Sequence, residues 1–501
     1  MDPGLPRETR RTSTEEAFLF IAGVSIFASS WLLGVRFLWA QWILFGLCLA
    51  TGLLGLRVFQ ISHRHHPRCA EPWAGWKVSG VAAIAFVTFV GVQSANVAFI
   101  PQCDVNNCVL IPVPHVAWLP SSVGGPFDGW LNGFIETENA ARYLLIYSAA
   151  ALGCLGVALG TQSRFGLRTL GTVLVVHGLL SAVICIAHQA SGSTKVLWLK
   201  GDPVLFLGAP FFFYKNHNAA YQTLLTGWVL GWLAWTSVRK PVRSPTLGFA
   251  LFVLAEVGLA SIRSRAGLLC AAVLGAAWLF SQKRVLTQRW RSHRVVVSLV
   301  LIVLAMAVGT AMWQTGGAGT VRRFGQEGDL IRTGLHGGKF RFLQHQFALE
   351  MFKDRPWFGW GAGSFLYNYA GYDARVPEMA SNRPVYSYYL LSPHADGDWY
   401  ELLAECGVVG TLLFAGVWLP HLALWWRRRI WRDPGVFLPA LAAVLVVGHG
   451  LVDSVFRNAG LLLLLGVCVV LITKRVLLRH PLDESDSVRP RENTCWPGHV
   501  A

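Results

Sequence analysis

Charge is scarce in this 501-residue chain: Asp, Glu, Lys and Arg make up 14%, where soluble domains carry about 25%. That deficit excludes an ordinary cytosolic protein. Hydrophobic residues at 53%, with 22 Trp and 29 Phe, exclude a disordered or fibrous one. Acidic residues are the scarcer sign, and 43 Lys and Arg against 27 Asp and Glu leave a net charge of +16. In a soluble chain that balance would raise nucleic acid as a partner. Here the basic residues punctuate apolar runs, so the excess reads as membrane topology and no nucleic acid is expected. Ten cysteines are unremarkable for this length, and Cys48, Cys154, Cys185, Cys270 and Cys468 lie inside apolar runs as small hydrophobes. The first apolar run follows Glu15 and Glu16 and lacks a clear cleavage site, which favours an uncleaved span over a signal peptide.

What is there is an all-α pattern, that of a polytopic integral membrane protein. Twelve apolar runs qualify as spans, near 18–35, 37–57, 78–100, 143–160, 169–188, 219–237, 246–261, 266–281, 295–313, 401–425, 437–452 and 458–473. With the N-terminus inside, every even-numbered crossing ends in a basic cluster, from Arg57/Arg64/Arg68/Lys77 to Lys474-Arg475, as the Lys/Arg bias requires. The expected organisation is an inside N-terminus at 1–17, helices one to nine over 18–313, and a large outside loop at 314–400. Helices ten to twelve over 401–478 and a disordered inside tail at 479–501 follow. A loop of that length is too long for a mere connector.

The outside segments carry the candidate chemistry. The long loop holds nine Lys and Arg, against the charge bias; for any single one the plainer reading is a solvated surface. Its segment from Arg341 to Phe352 has helical apolar spacing and stops at Asp354-Arg355-Pro356, which suits a helix on the membrane surface with Arg341 facing a polar site. Gly359-Trp360-Gly361-Ala362-Gly363 lacks the βαβ context of a nucleotide loop and reads as a glycine-rich tight turn. Arg263 and Arg265 crowd a short hairpin, where arginine is costly near a membrane and where its planar fork suits a diphosphate. A structural pairing of Arg263 with Glu256, seven residues earlier, is the competing reading. His394, Asp396, Asp398, Glu401 and Glu405 cluster at the start of a span, a functional-site signal; Asp396-Gly397-Asp398 is also a weak metal pattern. Cys103 and Cys108 on the outside face are either a disulfide or two free thiols.

Four stretches, in this order, resemble the O-antigen ligase/polymerase family of bacterial envelope glycosyltransferases: Lys215-Asn216-His217-Asn218-Ala219-Ala220, Ser264-Arg265-Ala266, Arg341 followed by Asp354–Phe365, and Asp398–Gly410. The resemblance covers about 200 residues and rests on the order of the motifs, each loose alone. It implies a bacterial inner-membrane enzyme, both termini cytoplasmic and the active site periplasmic. It further implies transfer of a glycan from a polyprenyl diphosphate donor to an acceptor hydroxyl on a glycan, lipid or protein. Such transfer inverts the anomeric centre and needs neither metal nor other cofactor. Arg265, Arg341 and Arg263 would hold the diphosphate, and Lys215, Asn216, Asn218 and Asp398 would bind or orient substrate. Counted back from Gly407, the family's histidine falls on Asp396 and its asparagine on Gly397, while His394 lies two residues earlier. The base is therefore His394, preferred for its intrinsic pKa, or Asp396. A transporter or flippase for a lipid-linked saccharide, using Glu256, His177 and Asp453, is the alternative from another class.

Overall fold

A computed structural model describes residues 12–65, 74–103, 108–124, 139–193, 195–201, 209–239, 245–262, 264–282, 338–376 and 394–479. The described chain is mostly helical: α1 (Ser13–Trp31), α2 (Leu38–His65), α3 (Ala74–Ala95), α4 (Ala140–Gly160), α5 (Arg164–Ala190), α6 (Lys215–Arg239), α7 (Pro245–Ala260), α8 (Arg265–Ser281), α9 (Gly338–Asp354), α10 (Asp398–Arg427), α11 (Pro434–His449) and α12 (Ala459–Arg479). Their starts are capped by residue types that satisfy orphan amides: Asn139 accepts from Arg142 N at 2.9 Å and Ser163 from Gly166 N at 2.8 Å.

Eleven of the twelve candidate spans coincide with helices, and the twelfth, 295–313, lies outside the described residues. Six helices are long and apolar enough to cross a membrane: Leu38–Arg64, Ala74–Ala95, Ala140–Gly160, Arg164–Ala190, Asp398–Arg427 and Ala459–Leu477. Leu247–Ala260, Arg265–Ser281 and Pro434–His449 are apolar but shorter. This is an integral membrane protein with six such helices among the described residues; twelve crossings remain an expectation. One boundary is corrected. The run expected as a span to residue 100 ends at Ala95, and the chain then enters strand β1 (Val97–Cys103).

β1 pairs antiparallel with β2 (Cys108–Pro112), in a register that sets Cys103 opposite Cys108, and parallel with the short β3 (Ser122–Val123). A two-stranded ribbon, β4 (Lys195–Val196) with β5 (Lys200–Gly201), precedes α6. The last helix is the most enclosed: Leu461 to Leu465 are buried, and α1, α4, α6 and α11 pack around α12. α9 forms a small separate core. Leu343, Phe347, Ala348 and Met351 make its apolar stripe, and they pack on Phe365, Tyr369, Tyr372 and Ala404. That stripe, expected to face lipid, is covered by protein, while Phe342 and Leu349 are exposed.

α10 is broken at Gly407, whose φ of 62° and ψ of −167° lie outside the helical range. Residues 356–361 fill the break. Val408 N donates to Pro356 O at 2.8 Å and Val409 N to Trp357 O at 3.1 Å; Ala404 O accepts from Trp360 N at 3.0 Å and Glu405 O from Gly361 N at 2.8 Å. In an unbroken helix those four groups would serve one another at i to i−4. Gln93 of α3 closes the junction, donating to Phe358 O at 3.0 Å and Glu405 O at 3.1 Å and accepting from Ala362 N at 3.2 Å. The glycine-rich turn is as expected, with φ of 70°, 100° and 77° at Gly359, Gly361 and Gly363. A Cβ on Gly407 would run into the Trp357 carbonyl, whereas one on Gly80 meets nothing within 4 Å. Gly407→Ala should therefore destabilise by ~1–3 kcal/mol, from the positive φ alone. Thermal unfolding in detergent, with Gly80→Ala as the neutral comparison, measures it.

Candidate functional site

An open polar cluster and a closed ionic one meet at the start of α10. The open cluster draws on five segments. Tyr214, just before α6, receives the Asn216 amide at 2.8 Å and Arg341 Nη2 at 3.4 Å, and donates to Asp453 Oδ2 at 3.2 Å. Asn216 Nδ2 also donates to Asp453. Arg341, in the first turn of α9, lies 3.5 Å from Asp396 Oδ2 through Nε and 3.6 Å from Asp453 Oδ2 through Nη2; its side chain is 38% exposed. Ser264, the cap of α8, donates to Asn216 Oδ1 at 2.8 Å. Asp453 and Ser454 come from the turn between α11 and α12, where His449 Nε2 stands 3.9 Å from Asp453 and His217 donates to Ser454 O.

Asp396 occupies a left-handed conformation, φ 49°, and its carbonyl accepts from His345 Nε2 at 3.1 Å. The His345 ring stacks on Tyr400 with centroids 4.2 Å apart. Burial raises the Asp396 carboxyl to about 6, against the opposing pull of Arg341. Burial, and then Arg341, lower His345 below the ordinary imidazole range, so it is neutral at neutral pH. Burial and the nearby Asp453 push the Tyr214 phenol well up, so it acts as a hydrogen-bond donor and not as an anion.

The closed cluster centres on Arg457, also from the α11–α12 turn and 8% exposed. Its Nη2 reaches Glu401 Oε1 at 3.1 Å and Glu405 Oε2 at 2.7 Å, its Nε is 3.9 Å from Asp398 Oδ1, and its guanidinium lies 4.6 Å from the Tyr143 ring centroid. Each carboxylate has a second duty. Asp398 accepts from Val455 N and, at 2.7 Å, from Phe456 N. Glu405 accepts from Phe365 N at 2.9 Å. Glu401 accepts from Ala395 N at 3.0 Å and sits 3.2 Å from His394 Nδ1.

Of the residues singled out from sequence, Asn216, Arg341 and Asp396 meet in the open cluster, and His394 stands at its junction with the closed one. Asp398 belongs to the closed one, so Asp396 and Asp398 engage different arginines and do not converge on a shared point. Among the described residues, no group of three or more His, Cys, Asp or Glu is placed to hold a metal ion. Lys215 opens α6, and Arg265 is exposed in the first turn of α8, one residue from Ser264. Arg263 lies outside the described residues. Asn218 turns away from the cluster, accepting from Phe211 N at 3.2 Å and donating to Cys185 Sγ at 3.6 Å, which fixes the approach to α6. Glu256 is buried against α8 beside Gly275, and His177 is buried against Ser30 and Phe27. Of the three groups a transporter would use, only Asp453 joins the cluster. Sequence reasoning passed over Tyr214, Gln93, His345 and Arg457. The signal for Arg457 was present in Asp453-Ser454-Val455-Phe456-Arg457, an ionisable pair between two apolar runs.

Residues 249–415, which span α7 to the middle of α10, match the family model described as O-antigen ligase. The chain is O-antigen ligase-like over that segment. No curated protein matches it. Ser264, Arg341, His394, Asp396 and Glu401 of this O-antigen ligase-like chain fall inside the matched segment, and Tyr214, Asn216, Asp453 and Arg457 fall outside it. Removing Arg457 strands buried carboxylates without a counter-charge, which costs ~3–5 kcal/mol. Arg457→Ala should accordingly be recovered folded at a small fraction of the wild-type amount, read as the monodisperse peak after detergent extraction.

Proposed function

We propose that this protein is a periplasmic-facing glycosyltransferase of the bacterial inner membrane. It moves a glycan from a polyprenyl diphosphate to an acceptor hydroxyl, as in O-antigen ligation or polysaccharide polymerisation. The supporting observation is the placement of Arg341 at 3.5 Å from Asp396, two residues along the same bend from His394. An anion-binding fork thus stands beside a candidate base at the mouth of apolar helices. His394 takes the acceptor proton, the acceptor oxygen attacks the anomeric carbon, and the bond from that carbon to the diphosphate oxygen breaks with inversion. The electron pair leaves on the diphosphate, where Arg341, with Arg265 and Arg263, stabilises it. Lys215 and Asn216 border the donor site, while Asn218 and Asp398 shape it through the backbone they hold. The arginines perform the neutralisation that a divalent ion performs elsewhere, so transfer proceeds without metal.

The donor must compete with two carboxylates for Arg341, which gives Asp396 a defined part. As pH falls through about 6, Asp396 takes up a proton and its hold on the guanidinium weakens. Donor KM should therefore fall from pH 7 to pH 5, and Asp396→Asn should show the low KM at both.

The decisive measurement is release of polyprenyl diphosphate by the purified protein given a lipid-linked glycan and an acceptor. His394→Ala should lower the rate by ~10²–10⁴ at normal membrane abundance, and chelator should leave the wild-type rate unchanged. An active His394→Ala beside a dead Asp396→Asn would transfer the base role to Asp396. Transport of the intact lipid-linked glycan without release of diphosphate would replace the enzyme by a flippase.

Arg341→Lys retains the charge but loses the planar fork. In the same assay it should behave much closer to Arg341→Ala than to wild type; wild-type transfer would reduce Arg341 to a surface charge.

A further inference from the structure

We infer that Glu401 is a positioning residue for transfer: it fixes the ring orientation and the tautomer of His394, and Arg457 anchors it for that duty. The inference rests on the glycan-transfer reading with His394 as base. Both oxygens of Glu401 are committed to two consecutive residues of one bend, Oε1 to His394 Nδ1 at 3.2 Å and Oε2 to Ala395 N at 3.0 Å. A carboxylate only accepts hydrogen bonds, so the proton of the neutral ring resides on Nδ1 and Nε2 keeps its lone pair. Because the Ala395 amide is held by the same carboxylate, the backbone carrying the ring is fixed as well as the ring. When Nε2 takes the acceptor proton, the imidazolium forms beside a buried carboxylate, the arrangement that favours the charged form.

Glu405 supplies the comparison. It lies one turn along α10, shares Arg457 with Glu401 at 2.7 Å against 3.1 Å, and is equally buried. Its free oxygen, however, goes to Phe365 N, in the turn that follows the glycine-rich segment. Two glutamates on one arginine therefore divide the work: Glu405 holds the backbone just after the segment that fills the broken helix, and Glu401 holds the histidine. Among the described residues, other titratable or charged groups around His394 include Asp396 on its own bend and His217 of α6, and one layer out Arg341 of α9, Tyr214, His449 at the end of α11 and Asp453 beyond it.

The test is the pH profile of transfer by the full-length protein in nanodiscs, with a polyprenyl-diphosphate disaccharide as donor. Glu401→Gln removes the charge facing His394. Its acid limb should move to lower pH by about one unit or more, and its plateau should fall by ~10²–10⁴. Glu405→Gln removes a charge from the same arginine and should leave the acid limb in place, whatever it does to abundance. Glu401→Asp keeps the charge on a shorter stem and should give an intermediate limb and rate; it carries the test if Glu401→Gln does not accumulate. A wild-type profile for Glu401→Gln or Glu401→Asp, or an equal shift in Glu405→Gln, overturns the positioning role while an inactive His394→Ala upholds the reading beneath it. A His394→Ala that transfers at the wild-type rate overturns the reading itself.

Discussion

The break in α10 is the constraint on which the site depends. An apolar helix opened at Gly407 exposes two carbonyls and two amides where no water is at hand, and each would be costly left unpaired. Residues 356–361 satisfy all four, and Gln93 donates to the Phe358 carbonyl that the inserted segment brings and a second time to Glu405 O of α10. The insertion fixes where α9 must lie, because only Arg355 separates Asp354 from Pro356. Arg355 itself is wedged by its guanidinium over Trp360, 4.1 Å from the ring centroid, and by Ser121 Oγ at 3.2 Å. With α9 pinned, Arg341 has one place to go.

Two arginines then serve the start of α10, Arg341 on the bend before it and Arg457 along its first turns. Arg457 is enclosed and outnumbered by carboxylates, each of which has a further hydrogen-bond duty that makes the enclosure tolerable. Arg341 is open, and its carboxylate partners stand at 3.5 and 3.6 Å, longer than the 2.7 Å of the tightest pair to Arg457. A guanidinium so loosely held can exchange a carboxylate for a phosphate, whereas the enclosed one cannot without unfolding its surroundings.

The helices were legible because lipid-facing and buried surfaces are both apolar, so the run length shows even where the partner does not. α9 was legible in its spacing but not in what it buries, since a stripe of Leu343, Phe347 and Met351 looks alike against lipid or against Tyr369. Arg341 and Asp396 were singled out through their motifs; Tyr214 and Arg457 were not, because their placement comes only from contacts across 239 and 56 positions, to Asp453 and Glu401. The departure at Gly397 has a physical counterpart. A Cβ there would meet His345 Nε2 at 2.6 Å, so an imidazole from α9 occupies the space that a side chain at this position would need.

The turn between α11 and α12 contributes Asp453, Ser454 and Arg457, and it follows in the chain every other segment of the cluster. During synthesis, therefore, Arg341 meets only part of its surroundings and Glu401 and Glu405 have no counter-charge until that hairpin enters the membrane. A ribosome-bound intermediate that already displays the entire ligase-like segment would still lack the pieces that close the site. Insertion of α11 and α12 thus completes both clusters, and a chain still lacking them would present an uncompensated acidic face on α10.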